Sequence, residues 1–356
     1  MSPSDLLTPP SNQTISNSTC DEVDTSAHRF FMVVHSLVFV VGLLLNGFTL
    51  KVYFCRPQQQ TSSSVTVYLK NLVASDFFIS LCLPIRIINY SNRSVFIRQI
   101  YCNFGASAFY LNMYASILFM GYIAANRYMK IVHPLGTHVL QTVRASRIIS
   151  VVTWCFLVSM MFTYVLVSLL TQEVVTNVTV SVDCDRLHSA QVRLLYIVLH
   201  CCTASIFLLV LVSLIFFYYS TSRRLALAQQ RQPASSSSTQ LARSRRKMLV
   251  LVVVFCVCFV PYHLVRLPYA FRKKRCSDQV FFYLKELTIM VSVLNVCLDP
   301  LIYFIFCRSF RSQLSLRKTM HGAGGSRRGS DGLRSSLRVN RRLSLSTTMT
   351  RHTSVV

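Results

Sequence analysis

The sequence predicts an all-α membrane protein: a seven-transmembrane helix bundle followed by a short amphipathic eighth helix. Two observations lead there. Of the 356 residues, 52% are hydrophobic and only 14% are charged, whereas soluble domains carry about 25% charged residues. That leaves too little polar surface for a water-soluble body of this size. The apolar residues also gather into stretches long enough to cross a bilayer, which takes about 20 residues in helix because every backbone polar group must be satisfied within the segment.

Six stretches are plain: 30–53, 65–89, 147–171, 192–219, 247–271 and 281–306. The stretch 101–132 is less apolar, but it is too long and too aromatic for a loop, so it counts as a further span. An odd number of spans puts the two termini on opposite sides. Residues 1–28 are polar and acidic and lack the pattern of a cleavable signal peptide, so the first span is expected to serve as its own signal-anchor. The organisation predicted is an outer tail over 1–29, the bundle over 30–308, a membrane-surface helix over 309–318 and a cytoplasmic tail over 319–356.

Orientation follows from the bias of Lys and Arg toward the cytoplasmic side. With the N-terminus outside, most of the 37 basic residues fall on that side, among them Arg223, Arg224, Arg231, Arg243, Arg245, Arg246, Lys247 and the tail from Arg308 to Arg351. Among the 12 acids, only Asp331 lies in a cytoplasmic segment, while Asp5, Asp21, Glu22 and Asp24 crowd the N-terminus. The net charge of +25 therefore reports topology at an anionic inner leaflet and not a nucleic-acid partner. The glycosylation triplets at Asn12, Asn17 and Asn177 all fall on the outer side, and two more, at Asn89 and Asn92, fall at the outer end of the second span.

The 13 cysteines sort the same way. Most lie in spans or on the reducing side, and Cys307 is a palmitoylation candidate. Cys256 and Cys258 do not suit zinc, because on a helix their side chains point about 200° apart. Cys20, Cys102, Cys184 and Cys276 remain in the oxidising compartment, and four cysteines allow three pairings.

A charged residue at bilayer depth costs at least about 2.5–3.5 kcal/mol, so each one is a functional hypothesis. Asp76 lies in mid-span, either as a hydrogen-bonding hub between helices or as an ion site. Asp299 precedes Pro300, with Tyr303 one turn on, and reads as a hinge. Arg127 ends the third span. In the outer halves stand Arg86, Arg266 and Lys285, with Glu286 the one acid nearby. His263, Arg266 and Tyr269 are spaced i, i+3, i+6 and share one broad face; Tyr110 and Tyr114 sit one turn apart. The loop Arg272-Lys-Lys-Arg275 adds positive charge above them. A cationic, aromatic-lined outer cavity suits a small anionic ligand, since Arg contacts phosphate or carboxylate bidentately and Tyr rings stack on a base.

No phosphate-binding loop, dinucleotide fingerprint, zinc-protease motif or nucleophile elbow is present. No paired broken helices suggest a transporter. Neither catalysis nor a metal or cofactor is expected.

These residues resemble the rhodopsin-like G-protein-coupled receptors over about 30–318. Gly42 and Asn46 match the first-span mark, and Leu72 with Asp76 the second. Asn126-Arg127-Tyr128 resembles the D-R-Y triplet, Trp154 the fourth-span tryptophan, Cys258-Phe259-Val260-Pro261 the C-W-x-P switch, and Asp299-Pro300-Leu301-Ile302-Tyr303 the N/D-P-x-x-Y motif. Within that class the sequence is most similar to the purinergic nucleotide receptors sensing ADP and UDP-sugars, through Phe109–Tyr114, Cys258–Tyr269, Lys285–Thr288 and Cys297–Pro300. The resemblance implies that Tyr110 stacks on a base while His263, Arg266, Tyr269 and Lys285 hold phosphates. It further implies disulfides Cys102–Cys184 and Cys20–Cys276, and coupling to a heterotrimeric G protein of the Gi class. Relatives sharing the sixth-span string include orphan and lysophosphatidylserine-type receptors, which makes a lysophospholipid the alternative ligand and a weakly coupled decoy the alternative role.

Three departures from the family pattern matter. Asn126 replaces the triplet's acid, which predicts raised basal signalling. Phe259 stands where many receptors have Trp. The fifth span lacks a proline, and its switch tyrosine is either Tyr218 or Tyr219. Pro261 and Pro300 are expected to break their helices and act as hinges. Phe304–Lys318 reads as an amphipathic helix on the inner leaflet. The loop Pro233-Ala-Ser-Ser-Ser-Ser and the tail 319–356 read as flexible. Ser330 and Ser344 sit in basic-directed kinase motifs, so receptor kinases and arrestin are expected partners. Thr353-Ser-Val-Val356 fits a PDZ ligand.

Overall fold

The computed structural model describes residues 27–54, 63–92, 94–133, 141–171, 184, 189–231, 236–271 and 279–306. Among them are seven helical segments long and apolar enough to cross a membrane: His28–Tyr53, Ser64–Ser91, Val95–Val132, Val143–Leu170, Ala190–Arg231, Ser238–Phe271 and Val280–Phe306. They are called the first to seventh spans. Large apolar side chains such as Leu37, Leu44, Phe162, Leu209 and Leu264 stand exposed on the outside of the bundle, as a hydrocarbon solvent requires. The third span is the most enclosed, with Met113, Ile117, Phe119, Met120 and Ile123 wholly buried.

Since lipid tails are as apolar as the helices, close contact and interhelical hydrogen bonds set which faces meet. At Gly42 an added Cβ would lie 2.6 Å from Val296 Cγ1, so only glycine lets the first and seventh spans approach this closely. Next to it, Asn46 Nδ2 donates to the carbonyl of Val296 at 2.9 Å. The one tryptophan, Trp154, donates through Nε1 to Asn71 Oδ1 at 2.9 Å and ties the fourth span to the second. Ser75 donates to Asn112 Oδ1 at 2.6 Å between the second and third.

The structure corrects several boundaries. The fifth span is helical over Ala190–Arg231 and the sixth over Ser236–Phe271, well beyond 192–219 and 247–271. Hydropathy marks only the length inside hydrocarbon, whereas Ala, Leu, Gln and Arg carry the helix on into water. The serine run is therefore helical from Ser236, while 232–235 lie outside the described residues. Helix breaking at Pro261 is also overturned: both Pro261 and Pro268 lie inside one helix. One missing N–H among so many hydrogen bonds does not end a packed transmembrane helix, because neighbouring groups satisfy the freed carbonyl. In the seventh span the interruption falls at Leu294, between Gln279–Val293 and Asn295–Phe306, with Pro300 inside the second piece. Leu294 N bonds to the carbonyls of both Met290 and Val291, at 3.3 and 3.2 Å. The outer end of the third span is a short helix, Val95–Ile100, joined to Ala106–Val132 by a π-helical turn, Tyr101–Gly105.

Asn12, Asn17, Asn177, Cys20, Cys276, the eighth helix over 309–318, Ser330, Ser344 and the C-terminal tetrapeptide lie outside the described residues. Asn89 belongs to the second helix with Oδ1 buried, and exposed Asn92 caps that helix, its Oδ1 accepting from Ser94 N at 2.9 Å.

Candidate functional site: the outer cavity

A cavity opens at the end of the bundle where the first span begins, called the outer end, and is lined by Tyr90, Arg98, Tyr110, Tyr196, Arg266, Lys285 and Glu286, among others. The Cys102–Cys184 disulfide borders it, one of the two pairings implied by the resemblance. The bridge fastens the outer end of the third span to the segment that follows the fourth.

Arg266 is the centre of the arrangement. Its Nη2 donates to Tyr110 OH at 2.9 Å and its Nε to His200 Nε2 at 3.3 Å. The guanidinium carbon also stands 5.1 Å from the Tyr196 ring and 5.3 Å from the Tyr269 ring. Lys285 Nζ lies 5.0 Å from the same Tyr269 ring. Tyr269 does not line the cavity but is the aromatic surface shared by its two cations, contacts worth about 0.5–2 kcal/mol each depending on desolvation.

A second network backs the first. Arg86 and Glu286 form a buried ion pair at 2.7 Å between the second and seventh spans. Tyr90 OH donates to the same carboxylate oxygen at 2.5 Å, and Arg86 also donates to Tyr101 OH at 2.6 Å and to Tyr90 OH at 3.1 Å. Lys285 Nζ sits 3.9 Å from the other oxygen of Glu286. The described lining thus carries Arg98, Arg266 and Lys285 against Glu286 alone, and Glu286 is already held by Arg86.

Four of the five sequence-predicted ligand residues come together here: Tyr110, Arg266, Tyr269 and Lys285. His263 does not reach the cavity. It lies deeper, its Nε2 3.2 Å from Tyr114 OH and its ring stacked on Phe207 at 3.8 Å. The i, i+3 spacing put His263 on the same face as Arg266 but said nothing about depth: one turn of helix is enough to move a side chain from the cavity into the core. Sequence reading overlooked His200, Tyr196 and Arg98. His200 carried a usable signal, a polar ring inside an otherwise apolar fifth span, by the same reasoning that singled out Asp76.

Deeper in the bundle, Asp76 Oδ2 accepts from Tyr303 OH at 2.6 Å. Asp299 is fully buried on the seventh span, as Tyr303 is. Asp76 Oδ1 and both Asp299 oxygens have no hydrogen-bond partner among the described residues. Phe259 is buried and packs edge-on against Phe255 at 5.3 Å. At the inner end, Asn126 donates to Ser64 Oγ at 2.9 Å. Arg127 lies over the Phe306 ring at 5.0 Å, and its Nε has no hydrogen-bond partner among the described residues. Tyr128 stacks on Phe217 at 4.8 Å. Of the two fifth-span tyrosines, Tyr219 is 64% exposed on the outside and Tyr218 is half-buried.

A bundle of helices long and apolar enough to cross a membrane, with a cationic cavity at one end, is the frame of a membrane receptor. The comparisons agree. The family model described as "7 transmembrane receptor (rhodopsin family)" matches residues 45–303. Purinoceptor 14 of Bos taurus is 35% identical over 303 residues, covering 81% of this chain and 87% of the relative. G-protein coupled receptor 87 of Mus musculus is 31% identical, covering 79% and 78%, and purinoceptor 13 of Rattus norvegicus is 31% identical, covering 82% and 85%. The chain belongs to the rhodopsin family of G-protein-coupled receptors, in its purinergic branch. It is a multi-pass membrane protein that couples to a G protein and answers to a small molecule, and it is not an enzyme.

Proposed function

We propose that this receptor senses an extracellular phosphate-bearing anion, a nucleotide or nucleotide sugar, and signals through Gi from the plasma membrane with its N-terminus outside. The observation that carries the reading is Arg266, held at the cavity wall by Tyr110 and His200 and sharing the Tyr269 ring with Lys285. Arg266 and Lys285 take the phosphates; Tyr110 offers its ring to the base; Tyr269 holds the two cations side by side. His263 lies beneath them, in hydrogen-bond contact with Tyr114. The names of two of the relatives, purinoceptors 14 and 13, support a purine or related nucleotide.

Signalling is a shift of population. A ligand that draws Arg266 and Lys285 together binds the active arrangement better than the resting one and moves the equilibrium by that difference alone. The sixth and seventh spans carry those two cations at their outer ends and Lys247 and Phe306 at their inner ends, where Lys247 lies 5.2 Å from the Phe306 ring beside Arg127. Rearrangement of the two helices therefore changes the surface offered to the G protein. Glycosylation at Asn12, Asn17 and Asn177, the Cys20–Cys276 bridge, phosphorylation at Ser330 and Ser344, arrestin recruitment and a PDZ partner belong to the same proposal.

One observation favours a second ligand class. An apolar groove, lined by Leu157, Met160, Met161 and Leu199, lies between the third, fourth and fifth spans and shares Tyr110, Tyr164 and Tyr196 with the cavity. It would house the chain of a lysophospholipid. Inhibition of cAMP production decides between them: ADP, UDP-glucose and lysophosphatidylserine are applied to cells expressing the receptor or Arg266→Ala. A response to ADP or UDP-glucose that Arg266→Ala removes supports the nucleotide reading. A response to the lipid alone overturns it, and silence toward all three overturns the phosphate cavity.

A further inference from the structure

Arg266 owes its place at the cavity wall to a residue that is not on the wall. His200 lies half-buried on the fifth span. Its Nδ1 is 2.8 Å from the carbonyl oxygen of Tyr196, and a carbonyl only accepts, so Nδ1 carries the ring proton. Nε2 is then a lone pair, and the Nε–H of Arg266 donates to it at 3.3 Å. The imidazole cannot easily turn away: Tyr196 lies against one side at 4.0 Å between ring centroids, and the Tyr110 ring meets it edge-on at 5.4 Å.

The guanidinium is thereby held at two points from two different helices, Nε by the fifth span and Nη2 by Tyr110 of the third. Arginine has a long, rotamer-rich stem, and a phosphate that had to freeze it on arrival would lose affinity to that ordering.

We infer that His200 is a positioning residue for ligand recognition, holding the Arg266 guanidinium in the orientation that receives a diphosphate. This rests on the phosphate reading of the cavity. His200 lies behind Arg266, outside the cavity lining and on the adjoining apolar groove, and acts through it.

The test uses the full-length receptor in lipid nanodiscs, with inorganic pyrophosphate as the minimal diphosphate and its Kd read from the rise in melting temperature. His200→Phe keeps the ring and removes the acceptor; His200→Gln restores an acceptor; Arg266→Lys keeps a cation but has no Nε–H. The expected result is a Kd about tenfold weaker for His200→Phe and within about threefold of wild type for His200→Gln. In the Arg266→Lys background the Phe substitution changes nothing further, as a double-mutant cycle on an interacting pair requires. Equal losses in both backgrounds, or a Gln variant as weak as the Phe variant, would leave His200 a packing residue and overturn the inference. Unchanged affinity in His200→Phe overturns it while sparing the cavity. Failure of the wild-type receptor to bind pyrophosphate overturns the phosphate reading, and the role of His200 with it.

Discussion

The outer and inner ends of this bundle treat their buried cations differently. At the outer end Arg86 has a carboxylate at 2.7 Å and two tyrosine hydroxyls, and Arg266 has a hydroxyl, an imidazole and three aromatic rings within 6.0 Å. At the inner end Arg127 rests on one ring, Phe306, while its neighbour Asn126 turns away to Ser64. Charged groups in a low-dielectric setting are costly unless paired. Arg86 and Arg266, at the outer end, are paired before any ligand arrives. At the inner end Arg127 Nε has no hydrogen-bond partner among the described residues, which predicts an end that is held less firmly. On the proposed reading, the ligand is recognised at the better-paired end and the response is made at the other.

The largest effect should come from breaking the better-paired end. Glu286→Ala leaves Arg86 buried without its carboxylate, which costs about 3–5 kcal/mol. The purified receptor should lose melting temperature sharply, whereas replacing Arg86 and Glu286 together by Leu should recover most of it. If the double replacement melts no higher than the single, the ion pair is not what makes the outer end rigid. Next comes Arg266→Ala, expected to weaken the response to an active nucleotide by about a hundredfold, roughly 2.7 kcal/mol, with little change in melting temperature. A comparable drop in stability would mean that Arg266 is a structural strut and not a ligand group.

The smaller effects belong to the inner end. Asn126→Asp places a carboxylate beside Arg127, and ligand-free signalling should fall several-fold, an ion pair to a charged partner contributing about 1.5–3 kcal/mol before screening. Basal cAMP inhibition that does not move would show that Arg127 is already restrained. Smallest is Phe306→Leu, which removes a cation–π contact of about 0.5–2 kcal/mol and should raise basal signalling slightly, in the direction opposite to Asn126→Asp. Basal activity that falls instead would mean that the ring supports the active arrangement.

Much of this contrast is legible in the sequence. The cations Arg86, Arg266 and Lys285 and the acid Glu286 could be named from the chain because hydrocarbon makes a charge conspicuous, whereas the missing acid at Asn126 and the pair Cys102–Cys184 came only from the resemblance to the receptor family. Depth and rotation were not legible. His263 shares a helical face with Arg266 yet sits below the cavity against Phe207. His200 went unnoticed although it holds Arg266. Tyr218 and Tyr219 could not be told apart until one of them proved to face outward. Spans that are apolar around most of their circumference carry little record of which face looks inward, and the partners that decide it are distant in sequence, as with Arg86 and Glu286.

The sequence alone determined that seven helices cross a bilayer, which motifs they carry and most of the charges they bury, because a solvent without hydrogen bonds imposes segment length and exacts a cost for each polar atom. Tertiary structure alone decided that Glu286 is taken by Arg86, that Tyr269 serves both Arg266 and Lys285, and that the break in the seventh span falls at Leu294 ahead of Pro300. Those outcomes depend on how helices rotate and settle against one another. That is governed by contacts such as Gly42 against Val296, which no single helix contains.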